Sequence, residues 1–566
     1  MDMMHQNSTL PVEGISSQYG RSLNAIFVVA ASLFAIYIGK VVQYRRGFKH
    51  LHGPLPSPPF SMWFGTIPGI AGLYKNSPTD THPMTTMTVL WRKYNLGNLY
   101  FLDNWPAADW RQVVVNDPAV AAQAVNLEKY HLYPTFVGHV VGKTSMLITE
   151  GREWKKTRAL FNPGFAAGHL MTLVPSIVDD TTIFVTKILS KLADSGEIKP
   201  LDDALARLTI DIMGHVVLDH DLNSQTSENE MVDGFRGSVR WSPKTVTTNP
   251  FQNLNPMMYI MQWYYTRVTD NYLKTVIKQR IAMRPSDSAA SGKKPGRRPA
   301  IDMAVDEFLV AGSDDGKPGV VDARFLQIAT DQMKTFMFAG HDTSSSTLCY
   351  IYHELNNHPE ALAKVRQEHN TVFGPSANAA EAIKRKPALL NELPYTLAII
   401  KEVLRLYPPA STAREGSTST SLTTNGVSYP TANTMVWINL HTIHRREDLF
   451  PSPDEFIPER FLPAPHNYPA QKEIVKDSWR PFEKGPRNCI GQELAILEMK
   501  IIMVMTLRDF DISSAYEEWD RMMGREDPGG MLDGRRGMFG TRAYQQMKAT
   551  AKPSDDMPVK VKRREI

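Results

Sequence analysis

Only two cysteines, Cys349 and Cys489, occur in the 566 residues, so each needs its own reading. Cys489 closes the run Phe482-Glu483-Lys484-Gly485-Pro486-Arg487-Asn488-Cys489 and is followed by Ile490-Gly491. Helix-forming residues then extend from Gln492 to about Leu507. A thiol delivered to the start of a helix meets free backbone N–H groups and the positive end of the helix dipole, and both favour the thiolate. Such a thiolate is a soft metal ligand, and on haem iron it favours O–O cleavage. Gly485 permits a tight turn, and Gly491 lets the backbone approach a flat ligand. Arg487 can reach an anionic group of the same ligand. Cys349 lies in an apolar helical stretch and reads as a small buried hydrophobe.

A second constellation is Phe336-Met337-Phe338-Ala339-Gly340-His341-Asp342-Thr343-Ser344-Ser345, in a helix expected from Asp331 to His358. Gly, Asp, Thr and Ser are weak helix formers, so the stretch predicts a local bulge where hydroxyls and water enter the hydrogen-bond ladder. Asp342 and Thr343 then set an acid and an alcohol beside that bulge. Glu402 and Arg405 share one face of a helix from about Leu389 to Tyr407, stopped by Pro408-Pro409. Trp154 and Arg158 share a face of a helix beginning near Gly151, while Lys155 and Lys156 point elsewhere.

The elements that must position these groups are mostly helical. Helix-type periodicity marks Val174 to Leu192, Ala204 to Leu218 and Met257 to Arg284. Strand-like pieces are short: Leu99 to Leu102, Val113 to Val115 and Met435 to Ile438. The fold class is therefore mainly α with a small β region. A basic loop from Pro285 to Ala300 interrupts the pattern, but the chemical motifs straddle it, so residues 60–566 read as one catalytic domain. A 42% apolar content supports a large core, and a net charge of +4 gives no argument for nucleic acid. Two cysteines exclude a disulfide scaffold.

The order Phe-x-x-Gly-x-Arg-x-Cys-x-Gly resembles the haem-binding loop of the cytochrome P-450 family, and the resemblance runs over about residues 60 to 560. Ala339-Gly340-His341-Asp342-Thr343 is similar to the family's oxygen-handling motif, and Glu402-x-x-Arg405 with Arg460 resembles its structural triad. The resemblance implies a cytochrome P-450 fold and a haem b cofactor (iron protoporphyrin IX) with Cys489 as metal ligand. It implies that Arg487, Trp154, Arg158, Phe482, Gly485, Gly491 and Arg414 surround the cofactor, and that Asp342 and Thr343 deliver protons to oxygen. The implied activity is an oxidoreductase, a monooxygenase inserting one atom of O₂ into an apolar small molecule. Electrons come from NADPH through a reductase, with cytochrome b5 as a second donor. Arg152, Lys155, Lys156 and Lys484 form a basic patch suited to an acidic donor. The close of the chain, Ala551 to Pro558, looks like the fungal branch acting on secondary metabolites such as polyketide or terpenoid intermediates. The intact Asp342–Thr343 pair argues against a haem-thiolate isomerase or dehydratase that needs no reductase. A helical membrane-associated protein without cofactor leaves the cysteine loop unexplained. Nothing resembles the output domain of a haem sensor or carrier, and a stretch reads as a lid over a pocket. That pocket is expected from Tyr130 to Met146, Phe336 to Thr343, Pro409 to Thr412 and near Gly537 to Phe539, under a lid from Ala204 to Arg284.

Leu23 to Gly39 carries no charge, and with Lys40 snorkelling the run reaches about 20 residues, enough at ~1.5 Å each to span a bilayer core. The tail before it lacks the basic region of a signal peptide. Residues 1–22 then form a lumenal tail, 23–42 a transmembrane anchor and 43–59 a basic, proline-rich connector. Lys40, Arg45, Arg46 and Lys49 follow the span, so the positive-inside rule places the large domain in the cytosol, on a single-pass endoplasmic reticulum protein. Asn7-Ser8-Thr9 is then a lumenal glycosylation sequon.

Overall fold

A 35-residue helix, Ala323–Asn357, runs through the body and is buried along most of its length. Asp322 caps it by accepting from the Phe325 N–H at 2.8 Å. A helix buried on nearly every face must be wrapped by others, and Leu201–Leu218, Pro256–Ala282, Pro394–Leu406 and Gln492–Leu507 all pack against it. This computed structural model describes residues 13–46, 55–74, 77–78, 80–105, 111–130, 133–243, 255–283, 298–311, 321–375, 378–466, 468, 474–525, 538–548 and 550–564.

The three expected strands join Thr412–Glu415 in one four-stranded sheet, in the spatial order Leu99–Asp103, Arg111–Val115, Met435–Ile438, Thr412–Glu415. Leu99 pairs antiparallel with Val115, Gln112 pairs parallel with Met435, and Arg414 pairs antiparallel with Val436. The inner strands are apolar because both faces of the sheet are covered. Near the carboxyl end, Gln545–Met547 and Ala551–Pro553 form a hairpin against the central helix, where Ser346 donates to the Ala551 carbonyl at 2.7 Å.

Several expectations change. The central helix starts eight residues earlier than Asp331 and is α-helical throughout, without the expected bulge. Its hydroxyls fold back on the ladder instead: Thr335 donates to Asp331, Thr343 to Ala339 and Thr347 to Thr343, at 2.6, 2.7 and 2.8 Å. The helix expected from Leu389 divides into a 3₁₀ segment, Pro387–Glu392, and an α-helix, Pro394–Leu406, because proline at position 394 cannot continue a helix. Val174 to Leu192 holds a π-helical turn, Phe184–Leu189. Of the expected lid, Leu201–Leu218 is a core helix rather than a cover, because its apolar residues face the central helix.

The helix Glu13–Arg46 contains Asn24–Arg46, a span long and apolar enough to cross a membrane, with a mean hydropathy of 2.2. Only 6% of its most apolar window is buried against the rest of the chain. Its last turn docks on the domain. Arg45 pairs with Asp103 and lies 5.3 Å from the Phe60 ring centre, so this base serves the domain as well as the flanking charge. Asn7 and Lys49 lie outside the described residues.

Candidate active site

The turn before the cysteine helix is built as the glycine spacing predicts. Gly485 has φ +79°, and a Cβ there would come within 3.1 Å of Val125. The Asn488 N–H donates to Gly485 and the Cys489 N–H to Phe482, at 3.2 and 2.9 Å, which presents the thiol just ahead of Gln492–Leu507. Cys489 is enclosed by protein, and the surface it exposes faces a cavity. Burial pushes the thiol pKa up, opposed by the Gly491 N–H and the Arg158 guanidinium. The backbone and charge support expected from the sequence is therefore present but outweighed by desolvation.

The cavity encloses about 340 Å³ and is lined by Cys489, Phe482, Ile490 and Gly491 from the loop, and by Phe336, Ala339, Gly340, Thr343 and Ser344 from the central helix. Met146, Leu147, Phe165 and Met213 add apolar walls, with Pro409 to Thr412 alongside. A Cβ at Gly340 would lie 2.6 Å from the Met213 sulfur, so glycine is what allows Leu201–Leu218 to approach here. Of the other expected pocket residues, Tyr130 is buried outside this lining, and Gly537 is not among the described residues. Phe539 instead lies under cations outside it, 4.6 Å from the Arg445 guanidinium carbon.

One wall is strongly cationic. Lys129, Arg158, Arg414 and Arg487 all line the cavity. Arg487 pairs with Glu150, and its guanidinium carbon lies 4.2 Å from the Trp154 ring centre. Arg158 shares a helix face with Trp154 as expected, but it donates to the Asn488 carbonyl at 2.9 Å and so also braces the cysteine loop. Lys129 donates to the Met146 carbonyl at 2.6 Å. Burial and then Arg487 push its pKa down, Glu150 pulls it up, and Arg414 adds a smaller downward push. Lys129 was not legible in the sequence: it reaches Arg414 through an isolated β-bridge across 285 positions of chain.

Asp342 and Thr343 diverge. Thr343 faces the cavity, whereas Asp342 does not line it. The Asp342 carboxylate pairs with Lys552 at 2.6 Å and accepts from the Thr550 hydroxyl at 2.5 Å, and Lys552 also pairs with Asp202 at 2.6 Å. Burial alone would raise Asp342, but Lys552 and His341 overcome it and hold the carboxyl below its ordinary range. Asp342 is thus a clamp for the carboxyl-terminal hairpin in this arrangement. His341 turns its ring to the Met337 carbonyl at 2.5 Å, and Cys349 is fully buried, as the sequence reading expected of this cysteine.

The structural triad is assembled. Arg405 donates twice to Glu402, at 2.7 and 2.8 Å, and Arg460 donates to Glu402 at 3.2 Å. Arg405 also binds the carbonyls of His444, Pro453 and Glu455. Its link to the cysteine loop is indirect, through His444, whose ring accepts from the Arg480 N–H at 3.1 Å.

These residues fit haem. Among the described residues no group of three or more His, Cys, Asp or Glu gathers to hold a metal ion, and one soft thiol suits a metal already held in a macrocycle. The excess of cations at one wall suits its two carboxylates, and a Cβ at Gly491 would meet only the Cys489 sulfur, at 3.9 Å, leaving the floor beside the thiol free.

A helical body with a thiol and an alcohol facing one cation-edged cavity defines a haem-thiolate protein. The cytochrome P450 family model matches residues 71–532, and the chain belongs to that family. It is 38% identical over 507 residues to cytochrome P450 monooxygenase acrF of Aspergillus aculeatus, covering 86% of this chain and 98% of that one. It is 33% identical over 544 residues to cytochrome P450 monooxygenase polC of Polytolypa hystricis, covering 95% of each. A crystal structure of a cytochrome P450 heme domain, P450DA, superposes with a TM-score of 0.68 at 18% identity, over 90% of this chain and 98% of that one. The protein is a haem-thiolate monooxygenase with fungal relatives.

Proposed function

We propose that Cys489 would hold the iron of haem b and that Thr343 serves proton delivery for oxygen insertion into an apolar fungal metabolite. The observation that carries this reading is that Cys489 and Thr343, 146 positions apart in the chain, line one cavity. Haem bound there supplies the redox chemistry that activates O₂ with two electrons. Lys129, Arg414 and Arg487 would hold its carboxylates, with Trp154 packed against Arg487. Apolar side chains such as Met146, Phe165, Met213 and Phe336 exclude water and suit a polyketide or terpenoid skeleton. The Thr343 hydroxyl, bonded to Ala339, can exchange that bond for a water and pass its proton into the cavity. Asp342, held ionised by Lys552, would have to leave that pair and take up a proton before it could donate one.

Arg152, Lys155, Lys156 and Lys484 are exposed and suit an acidic NADPH-dependent reductase or cytochrome b5. The apolar amino-terminal helix fits a single-pass endoplasmic reticulum anchor, with residues 60–566 in the cytosol. Protease added to sealed microsomes then digests the large domain, and protection of that domain reverses the orientation.

The deciding experiment pairs a spectrum with a coupling ratio. Reduced wild-type protein with carbon monoxide gives a thiolate-type band, and Cys489→His abolishes it. Thr343→Ala keeps the band but slows product formation by about 10²–10⁴-fold, the range for a positioned general acid, while NADPH oxidation continues and yields hydrogen peroxide. A histidine-type band in the wild type removes the ligand assignment, and fully coupled turnover by Thr343→Ala removes the relay.

A further inference from the structure

Lys334 carries a charge inside the central helix, just before Thr335 and Phe336, which line the haem cavity. It is 2% exposed and takes no part in the chemistry of Cys489 or Thr343. Its Nζ lies 2.7 Å from Asp270 and 3.1 Å from Asp331. Asp331 stands on the same helix, but Asp270 belongs to Pro256–Ala282, the remaining part of the expected lid. That helix is packed at one end only. Leu273 and Ile277 are fully buried, whereas Tyr259, Ile260 and Trp263 are exposed. Asp270 follows the buried Thr269, where the packed half begins.

The same cluster holds the loop on the other side of the cavity. Asp331 accepts from the Thr144 N–H and hydroxyl at 3.0 and 2.8 Å. Gln332 accepts from the Met146 N–H at 2.9 Å and donates to the Thr144 carbonyl at 2.7 Å. Gly142 has φ +85°, and a Cβ there would overlap the Asp331 carboxylate, so only glycine lets the loop come this close. Met146 and Leu147, which follow, form apolar walls of the cavity. Thr266 on the lid helix also donates to the His139 carbonyl at 3.0 Å, a second tie between lid and loop. Burial pushes the His139 pKa down to about 4, against a pull from the Ser238 carbonyl and with a further push from Lys334. That imidazole is therefore neutral, and Lys334 is the buried cation that meets both aspartates, with Lys274 3.9 Å from Asp270 on the more exposed side.

An apolar contact in place of Lys334 would hold lid and loop shut. An ion pair behaves differently, because its attraction is largely offset by the cost of taking both charges out of water. Opening returns the charges to water at little cost, and closing restores a single register, since one ammonium must meet two carboxylates. We infer that Lys334 is a positioning residue that fastens the lid helix and the 142–147 loop to the central helix together, and so sets the passage by which bulky apolar molecules reach the cavity. The inference rests on the cavity beside Cys489 being the haem and substrate site, as proposed above.

The test uses haem-loaded full-length protein, with Lys334→Met, Asp270→Asn, the double variant and Lys334→Arg at equal haem content. Stopped-flow absorbance follows the Soret shift produced by imidazole, a small ligand, and by N-tritylimidazole, a bulky apolar one. Hydrogen exchange on the unliganded protein reads residues 142–147 and 256–270. In Lys334→Met the association and dissociation rates of N-tritylimidazole rise together by about 10-fold, within the range of coupling between contacting charges, while those of imidazole stay at the wild-type level. Asp270→Asn gives part of that rise, the double variant adds nothing to Lys334→Met, and Lys334→Arg restores slow entry. Should Lys334→Met fail to hold haem, Asp270→Asn carries the same test, because it leaves Lys334 paired with Asp331. Both segments exchange faster in Lys334→Met, while the rest of the chain keeps its protection. A merely structural role would speed exchange throughout or change both ligands alike, and either result overturns the inference. Unchanged entry of N-tritylimidazole overturns it too, as does faster exchange in only one of the two segments. If imidazole gives no Soret shift in the wild type, the Cys489 reading fails instead, and the exchange pattern by itself decides whether Lys334 fastens both segments.

Discussion

Two clusters of arginine and glutamate are balanced in opposite ways. Around Glu402, both carboxylate oxygens are taken by Arg405 and Arg460, and the spare Arg405 donors meet three backbone carbonyls. Glu402 and Arg405 are both 0% exposed. Around Arg487, four cations line one cavity wall, and Glu150 is the carboxylate that pairs with Arg487 there. Charges that close on one another fix backbone segments and have nothing left to bind. An excess of partly buried cations costs desolvation and mutual repulsion, which an anionic ligand relieves. The first cluster belongs to the fold and the second to the cofactor.

The sharpest way to break this contrast is Glu402→Ala. It leaves Arg405 buried and uncompensated, with an expected loss of about 3–5 kcal/mol in stability, read from denaturant unfolding. A change under 1 kcal/mol would mean that the cluster is not the brace described here. Arg487→Ala acts oppositely: the apoprotein keeps its stability within about 1 kcal/mol, because a partly exposed pair contributes little. Haem retention falls by about 10–100-fold, as when a charge-assisted contact worth ~1.5–3 kcal/mol is removed, and transfer of haem to apomyoglobin measures it.

The smallest effect concerns Lys129. Its pKa is pushed down in the cavity by burial and by Arg487 and Arg414, so part of its charge is lost as pH rises above neutrality. Haem carboxylates raise that pKa and proton uptake accompanies binding, so haem affinity falls as pH climbs through the lowered pKa. Lys129→Met removes this pH dependence while changing affinity at high pH by less than about 10-fold, in line with its being only one of several cations. An unaltered pH profile in the variant would remove Lys129 from the set that meets the cofactor.

The sequence by itself determined the cysteine turn, the helix after it, the three strand pieces, the apolar amino-terminal span and the Glu402–Arg405 pairing. Each depends on residues within a few positions of one another, where glycine geometry, periodicity and i, i+3 spacing act directly. Only the tertiary structure decided which polar groups meet the cavity. Asp342 and Thr343 are neighbours in the chain, but consecutive helix residues point about 100° apart, so one joins Lys552 while the other faces the site. Lys129 and Arg414 meet through a bridge between distant segments. No local pattern encodes these pairings, because they exist only after apolar burial has packed the helices and brought remote charges together.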